Sequence, residues 1–213
     1  LPDASWLRPA APRGRREALG ALGLDFAGLE LPTLGDAVAE VEEVAATFGG
    51  NALLNREATV QAARETLTEC TVVHFATHGA FDPAAPSFQR LYLSDGNGST
   101  AHLFASDLYD LDLRHVRLVT LGACETALGR IDVGGNQRGF VGALFQRGVK
   151  TVVAALWRVN SGCSRLFFTE LYRHLAAGSD CHVAFSAAQA SARASYRSYR
   201  QWGAFVLIGG VDD

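Results

Sequence analysis

The sequence predicts a three-layer α/β fold with a mostly parallel central sheet. Near-continuous apolar runs are typical of parallel strands that are buried on both faces. Such runs lie at residues 71–76, 117–121 and 151–157. Stretches with apolar residues at helical spacing lie between and after them. This alternation favours an open sheet with right-handed crossovers and a layer of helices on each face.

The first half of the chain begins with a segment that has no clear periodicity. Residues 1–30 are rich in Pro, Gly, Ala and Arg, so we expect a linker or peripheral arm there. From residue 33 to 48 apolar side chains recur at helical spacing, and Gly49 and Gly50 end the run, which predicts an amphipathic helix. A short apolar piece, a helix and a buried strand follow, at residues 52–54, 57–69 and 71–76.

The second half continues with strands and helices. A small strand at residues 91–93 precedes a run from Asp95 to Gly98 that is typical of a tight turn. The remaining strands and helices are expected, in order, at residues 117–121, 136–148, 151–157, 161–177, 181–197 and 204–208. The chain of 213 residues is long enough for one sizeable core. We therefore expect one domain over residues 31–213, preceded by the arm.

Composition and charge exclude several classes of protein. With 48% hydrophobic and 19% charged residues, the chain is neither a disordered polyelectrolyte nor a mini-protein that needs staples. A net charge of −3 provides no overall attraction to nucleic acid or anionic lipid, so we expect neither as a direct partner. No apolar run reaches the roughly 18–20 residues of a membrane span, and no signal-peptide core is present. We expect a cytoplasmic location.

The four cysteines do not form a disulfide or zinc pattern. Cys70, Cys124, Cys163 and Cys181 lie far apart without a Cys-x-x-Cys pair, so we expect reduced thiols. The chain begins at Leu1 and contains no Met, so we expect a domain excised from a larger protein.

A histidine and a cysteine follow two of the predicted strands. His78 and Gly79 follow the first strand, and Cys124 follows the second. Functional crevices of open α/β sheets lie at the carboxyl ends of the strands, where a thiol and an imidazole can form a nucleophile and its base. The N–H groups of Gly79 and Cys124 would form an oxyanion hole. The alternative is that Cys124 is a small buried hydrophobe, the commoner role of a lone cysteine after a strand.

A second histidine, His74, lies four residues before His78, which is a spacing that binds zinc on a helix. On a strand, however, four residues span about 13 Å, too far for both rings to bind one ion at about 2 Å each. We therefore expect His74 to be a buried structural residue.

Four motifs resemble those of one known family, in the same order. They are Val73-His74-Phe75-Ala76-Thr77-His78-Gly79-Ala80-Phe81-Asp82, Leu121-Gly122-Ala123-Cys124-Glu125-Thr126, Val153-Ala154-Ala155-Leu156-Trp157 and Trp202-Gly203-Ala204-Phe205-Val206-Leu207-Ile208-Gly209. Together they resemble the CHAT domain, a caspase-like and separase-like group of clan CD cysteine peptidases. The resemblance runs from about residue 33 to 210.

The resemblance implies a three-layer α/β/α caspase-like fold and a Cys-His dyad formed by His78 and Cys124. It implies an endopeptidase that cleaves a protein substrate and needs no cofactor or metal. CHAT domains usually adjoin tetratricopeptide or other sensor regions, so it also implies a larger bacterial protein with a regulatory domain or partner, with a role in defence as one option. The alternative is an inactive caspase-like interaction module; a third option is an acyltransferase or another thiol hydrolase.

The sequence departs from its relatives at the expected substrate pocket. Relatives often carry acidic residues after the Trp of the third motif, whereas here Arg158 follows Trp157. A basic preference is therefore not carried over, and Arg158 favours an acidic or neutral substrate residue unless it is simply an exposed loop arginine. Asp82 and Asp132 are further candidates for the substrate pocket.

Overall fold

The computed structural model describes residues 18–81, 84–123, 130–131 and 137–210. The strands in this part of the chain are β1 Leu19–Gly23, β2 Asn51–Leu54, β3 Val72–Ala76, β4 Gly79–Ala80, β5 Arg90–Ser94, β6 Thr100–Phe104, β7 Leu118–Leu121, β8 Arg130–Ile131, β9 Gln137–Arg138, β10 Thr151–Ala155 and β11 Phe205–Gly209. The α-helices are α1 Ala37–Phe48, α2 Val60–Glu69, α3 Phe140–Gln146, α4 Ser161–Ala176, α5 Cys181–Ser195 and α6 Tyr199–Trp202.

Six strands form the central sheet in the order β11-β10-β7-β3-β1-β2. All neighbours in it are parallel except β11, which runs antiparallel to β10 at one edge. The predicted mostly parallel sheet is confirmed. An antiparallel hairpin of β5 and β6 extends from β4 to make a second, three-stranded sheet.

Alternate residues of the central strands enter two separate hydrophobic cores. On β3, Val73 and Phe75 pack with α2, α3 and the hairpin, whereas Val72 and Ala76 pack with α1, α4 and α5. Side chains of a strand point to opposite faces in turn, so a strand covered on both faces is apolar throughout. The three layers therefore follow from the apolar runs.

The prediction of a linker or arm over residues 1–30 is wrong for residues 19–23, because they form β1, which lies between β3 and β2. Its glycines are required by close packing. A Cβ atom on Gly20 would lie 2.2 Å from Cγ2 of Thr66, and one on Gly23 would lie 2.8 Å from Cγ2 of Val41. A strand whose glycines allow close contact with helices on both faces thus resembles a loop in its composition. Residues 1–17 lie outside the described part.

Candidate active site

Strands β3 and β7 bring the two predicted catalytic segments to one edge of the sheet. The strands are parallel neighbours, with Phe75 opposite Leu121, and the Gly122 N–H donates a hydrogen bond to the Phe75 carbonyl at 2.7 Å. His78 lies two residues beyond β3. Directly after β7 the structure describes Gly122 and Ala123. The next residue, the predicted nucleophile Cys124, lies outside the described residues.

The His78 ring is half-buried and held in one orientation. Its Nε2 lies 2.7 Å from the Pro32 carbonyl oxygen, and the Phe26 ring packs with centroids 4.7 Å apart. A carbonyl oxygen only accepts hydrogen bonds, so Nε2 carries the proton. In the neutral imidazole Nδ1 is then the basic nitrogen. This ring is arranged to accept a proton at Nδ1.

The surroundings of His78 favour the neutral imidazole. Burial lowers the pKa of His78 from its ordinary value of 6.5, the Pro32 carbonyl raises it in part, and the positive charge of Arg158 lowers it further. Desolvation and a nearby cation both disfavour the imidazolium. His78 therefore keeps its capacity as a base to a lower pH than an ordinary histidine.

Two residues that hold His78 were not identified from the sequence. Phe26 and Pro32 lie in the connection between β1 and α1, Phe26 within the segment predicted to be an arm and Pro32 just beyond it. Phe26 is buried and adopts a φ of 60°, a conformation that is unusual for a bulky residue. The available signal was the apolar pair Leu24 and Phe26 after the five residues of β1, but recognising it requires recognising β1 first.

The Gly79 amide points away from its neighbouring strand. The Tyr92 N–H donates to the His78 carbonyl at 2.9 Å, so His78 and Tyr92 form a hydrogen-bonded pair of the antiparallel ladder. The next pair, Gly79 with Leu91, is then a non-hydrogen-bonded pair. The Gly79 N–H is therefore directed to the outer side of β4, as an oxyanion-hole donor requires.

The predicted pocket residues have different outcomes. Trp157 and Arg158 follow β10, the neighbour of β7, at the same carboxyl edge as His78. The Trp157 Nε1–H donates to the Arg200 carbonyl at 2.8 Å, which connects this segment to α6. Asp82 and Asp132 lie outside the described residues.

A small pocket opens at this edge of the sheet, on the side of α1 and α4. It is lined by Leu34, Ala37, Glu40, Ala76, Thr77, Gly122, Ala123, Ala155, Val159, Ser161, Ser164 and Phe205. Thr77 precedes His78 and Ala123 precedes Cys124, so both predicted catalytic residues directly follow residues of the pocket wall.

A buried polar network lies beneath the pocket. His74 Nδ1 is 2.7 Å from Thr120 Oγ1, and His74 Nε2 is 3.1 Å from Glu40 Oε1. Thr120 Oγ1 is in turn 2.7 Å from Tyr172 Oη. The network connects α1, β3, β7 and α4, so it fixes the strands that precede His78 and Cys124. The signal in the sequence was a Glu and a His at positions that are otherwise apolar, because buried polar groups need partners.

Gly122 completes the contact between this network and the strand end. A Cβ atom there would lie 2.6 Å from Glu40 Oε1 and 3.1 Å from the Phe75 carbonyl oxygen. Only glycine allows the β7 end to approach the Glu40 carboxylate so closely.

Burial disfavours the thiolate form of the three cysteines other than Cys124. Burial raises the pKa of Cys163 to about 11 and that of Cys181 to about 12. Burial also raises the pKa of Cys70, and the negative charge of Glu69 raises it further. Because the thiolate is the reactive form, we expect these three thiols to react slowly at neutral pH.

A larger cleft adjoins the His78 side of the edge. It has a volume of about 370 Å³ and is lined by Leu24, Asp25, Phe26, Ala27, Gly28, Leu29, Asn55, Arg56, Ser94, Gly98 and Ser99. Phe26 belongs both to this cleft and to the packing around His78. The cleft therefore lies behind the Phe26 ring that packs on His78, at the carboxyl ends of β1 and β2.

Comparison with known proteins identifies the family. The model of the CHAT domain matches residues 5–210, which is nearly the whole chain. The chain belongs to the CHAT domain family. The family model begins well before residue 31, in agreement with the place of β1 in the sheet.

Solved structures of cysteine peptidases share the fold of this CHAT domain. The Arg-specific cysteine proteinase gingipain R superposes with a TM-score of 0.65 at 10% identity, over 91% of this chain and 46% of that chain. Separase in the Saccharomyces cerevisiae separase–securin complex superposes with a TM-score of 0.59 at 14% identity, over 91% of this chain and 12% of that chain. This chain thus spans less than half the length of either neighbour. The predicted three-layer caspase-like fold is confirmed.

Three further features were sought: a matching curated sequence, a metal-binding cluster and a membrane-spanning helix. No curated protein sequence matches the chain. Within the described ranges, no group of three or more His, Cys, Asp or Glu side chains is placed to hold a metal ion. Every helix in that same part of the CHAT domain is too short or too polar to cross a bilayer.

Proposed function

We propose that this CHAT domain is a cysteine endopeptidase in which His78 and Cys124 form the catalytic dyad. One observation carries the proposal. The Pro32 carbonyl holds the proton of His78 on Nε2, which leaves Nδ1 as the base at the edge where Ala123 leads into Cys124. A base with one nitrogen fixed by a third group is the arrangement that nucleophilic catalysis requires.

In the acylation step, His78 Nδ1 accepts the thiol proton of Cys124. The thiolate sulfur then attacks the carbonyl carbon of the scissile peptide bond, and the carbonyl π electrons move to oxygen. The tetrahedral intermediate collapses with cleavage of the C–N bond, and the imidazolium returns its proton to the leaving amine. An acyl-enzyme thioester and a free amine result.

In the deacylation step, water replaces the amine. His78 accepts a proton from water while the water oxygen attacks the thioester carbonyl carbon. The C–S bond then breaks. The proton returns to the sulfur of Cys124, and the substrate leaves with a new carboxyl terminus. In both steps the N–H groups of Gly79 and Cys124 donate to the oxyanion; loss of one such donor costs about 2.7–4 kcal/mol in hydrolases.

The setting of the reaction extends the proposal. The substrate is a polypeptide, for which the cleft next to Phe26 offers space along the sheet edge. Trp157, Arg158, Asp82 and Asp132 contribute to the substrate pocket. A neighbouring tetratricopeptide-type or other sensor domain restrains the site in a larger cytoplasmic protein of a bacterium, with a defence role. The dyad chemistry needs no cofactor and no metal.

The experiment that tests the proposal is a peptide-library cleavage profile of the full-length protein, with and without candidate activators. Wild type is compared with Cys124→Ala and His78→Ala. His102→Ala is the matched control, since His102 is also partly buried with a lowered pKa but lies on β6. Cleavage that both dyad substitutions abolish, and the control retains, is the expected result. Cleavage that survives Cys124→Ala would contradict it, and no cleavage under any condition would favour the interaction module.

A further inference from the structure

The segment after β10 lies beside the predicted dyad. Thr77, Ala123 and Val159 line the same pocket, and each is directly bonded in sequence to His78, Cys124 or Arg158. The positive charge of Arg158 is also close enough to His78 to act on its pKa. Arg158 therefore belongs to the rim of this site.

Two hydrogen bonds anchor residues on both sides of Arg158, one through the Trp157 side chain and one through the Asn160 backbone. The Trp157 Nε1–H donates to the Arg200 carbonyl at 2.8 Å, and the Asn160 N–H donates to Gln201 Oε1 at 2.9 Å. The Asn160 side chain also accepts from the Gly162 N–H at the start of α4. The position of the arginine backbone is thus fixed before a ligand arrives, which reduces the entropic cost of binding.

In the described part of the chain, three carboxylates near the pocket already have partners. Glu40 contacts His74, while Arg165 pairs with Asp36 at 3.4 Å and with Glu43. Arg158 is exposed, and within the described residues no carboxylate pairs with it. Within the described residues, the rim therefore presents a guanidinium that no carboxylate of the fold neutralises. A guanidinium of this kind binds a carboxylate through two parallel hydrogen bonds.

We propose that Arg158 binds an acidic side chain on the substrate residue whose carbonyl is attacked, so that cleavage follows Asp or Glu. The inference rests on the proposed function and names its substrate class. That side chain lies at the rim of the pocket, beside Arg158, because the Cα that carries it is bonded to the reacting carbonyl carbon. The same charge repels a substrate Lys or Arg. Gingipain R is named as Arg-specific, so this CHAT domain would differ from that neighbour in preference.

The test uses peptide acyloxymethyl ketones, in which the thiolate of Cys124 displaces a carboxylate leaving group to form a thioether. Probes with Asp or Glu before the ketone are compared with probes that carry Asn, Gln, Lys or Arg. The second-order rate of labelling at Cys124 is followed by mass spectrometry. We expect Asp and Glu probes to react about tenfold faster than their amide counterparts, since a charge-assisted contact is lost in the amides.

Two substitutions report on Arg158 itself. Arg158→Glu should remove the advantage of the acidic probes and increase labelling by Lys and Arg probes, whereas Arg158→Gln should only remove the advantage. Lys150→Glu is the matched control, because Lys150 is exposed and precedes β10 at the opposite edge of the sheet. It makes the same change of charge and should keep the wild-type ranking. Thermal melts of all variants check the fold.

The outcomes separate this inference from the function on which it rests. Equal labelling of Cys124 by acidic, amide and basic probes would overturn the acidic preference and leave the peptidase intact. A ranking that Arg158→Glu and Arg158→Gln do not change would also overturn the role of Arg158. If no probe labels Cys124 faster than Cys70, the peptidase proposal itself fails.

Discussion

His74 and His78 lie four residues apart on one segment, and their surroundings differ completely. His74 is fully buried, with Glu40 at one ring nitrogen and Thr120 at the other. His78 is half-buried, with the Pro32 carbonyl at Nε2. An imidazole with both nitrogens occupied fixes structure, whereas one with a basic nitrogen left over can move a proton. The residue type alone does not distinguish these roles.

The largest expected effect is on the rate of peptide cleavage, which should depend on His78. His78→Ala should lower peptide cleavage by about 10²–10⁴-fold, the usual contribution of a general base. It should lower the free energy of unfolding by only about 1–2 kcal/mol, because one hydrogen bond and one ring contact are lost. Steady-state kinetics and urea denaturation measure the two quantities. Equal loss of activity in His102→Ala would show that the effect is not specific to the site.

The second prediction reverses the pattern for the buried network. His74→Ala leaves the Glu40 carboxylate buried without its partner, which should cost about 3–5 kcal/mol of unfolding free energy. Glu40→Gln keeps the shape and a hydrogen-bonding group, so it should cost less. Urea denaturation of both variants measures the difference. A His74→Ala protein as stable as wild type would remove the distinction between the two histidines.

The third prediction concerns Gly122, which lies between the buried network and the segment that leads into the predicted nucleophile. Gly122→Ala places a methyl group 2.6 Å from Glu40 Oε1, and such overpacking should cost about 1–3 kcal/mol. Gly35→Ala is the control, because a Cβ atom there would meet nothing within 4 Å. It should change stability by less than about 0.5 kcal/mol. The midpoints of urea unfolding measure both effects, and equal midpoints would contradict the packing argument.

The smallest effect is a shift in pH dependence. Protonation of His78 removes the base, and burial and Arg158 both lower its pKa, so activity should persist below the ordinary value of 6.5. Arg158→Gln removes a positive charge, which raises the pKa of His78. The acidic limb of the pH–rate profile should therefore move to higher pH. A limb that does not move, or moves to lower pH, would show that Arg158 does not act on His78.

Most of the sheet could be predicted because its strands are buried on both faces. The apolar runs of β3, β7 and β10 identify themselves, and Gly49, at a φ of 82°, ends α1 as expected. Strand β1 was missed because Gly20 and Gly23 serve helix packing. The second strand of the hairpin, β6, was missed too, because its mixed residues at half-buried positions give no apolar run.

For the candidate site, the sequence predicts which residues follow the strands but not which distant residues contact them. Residues that follow strands, such as His78 and Arg158, can be placed at the carboxyl edge from sequence order alone. The contacts that decide their chemistry come from distant segments: Pro32 is 46 residues from His78 and Gln201 is 41 residues from Asn160. No local pattern records such a partner. Sequence therefore indicates which residues lie at the carboxyl edge, and the fold determines which distant residues contact them.

The most direct test of the central claim is the rate at which iodoacetamide alkylates each of the four cysteines near neutral pH. The account predicts that Cys124 reacts much faster than Cys70, Cys163 and Cys181, whose thiols are held protonated by burial. It also predicts that His78→Ala slows Cys124 alone, while His102→Ala slows none of them. A Cys124 that reacts no faster than Cys70, or whose rate is unchanged in His78→Ala, would contradict the dyad.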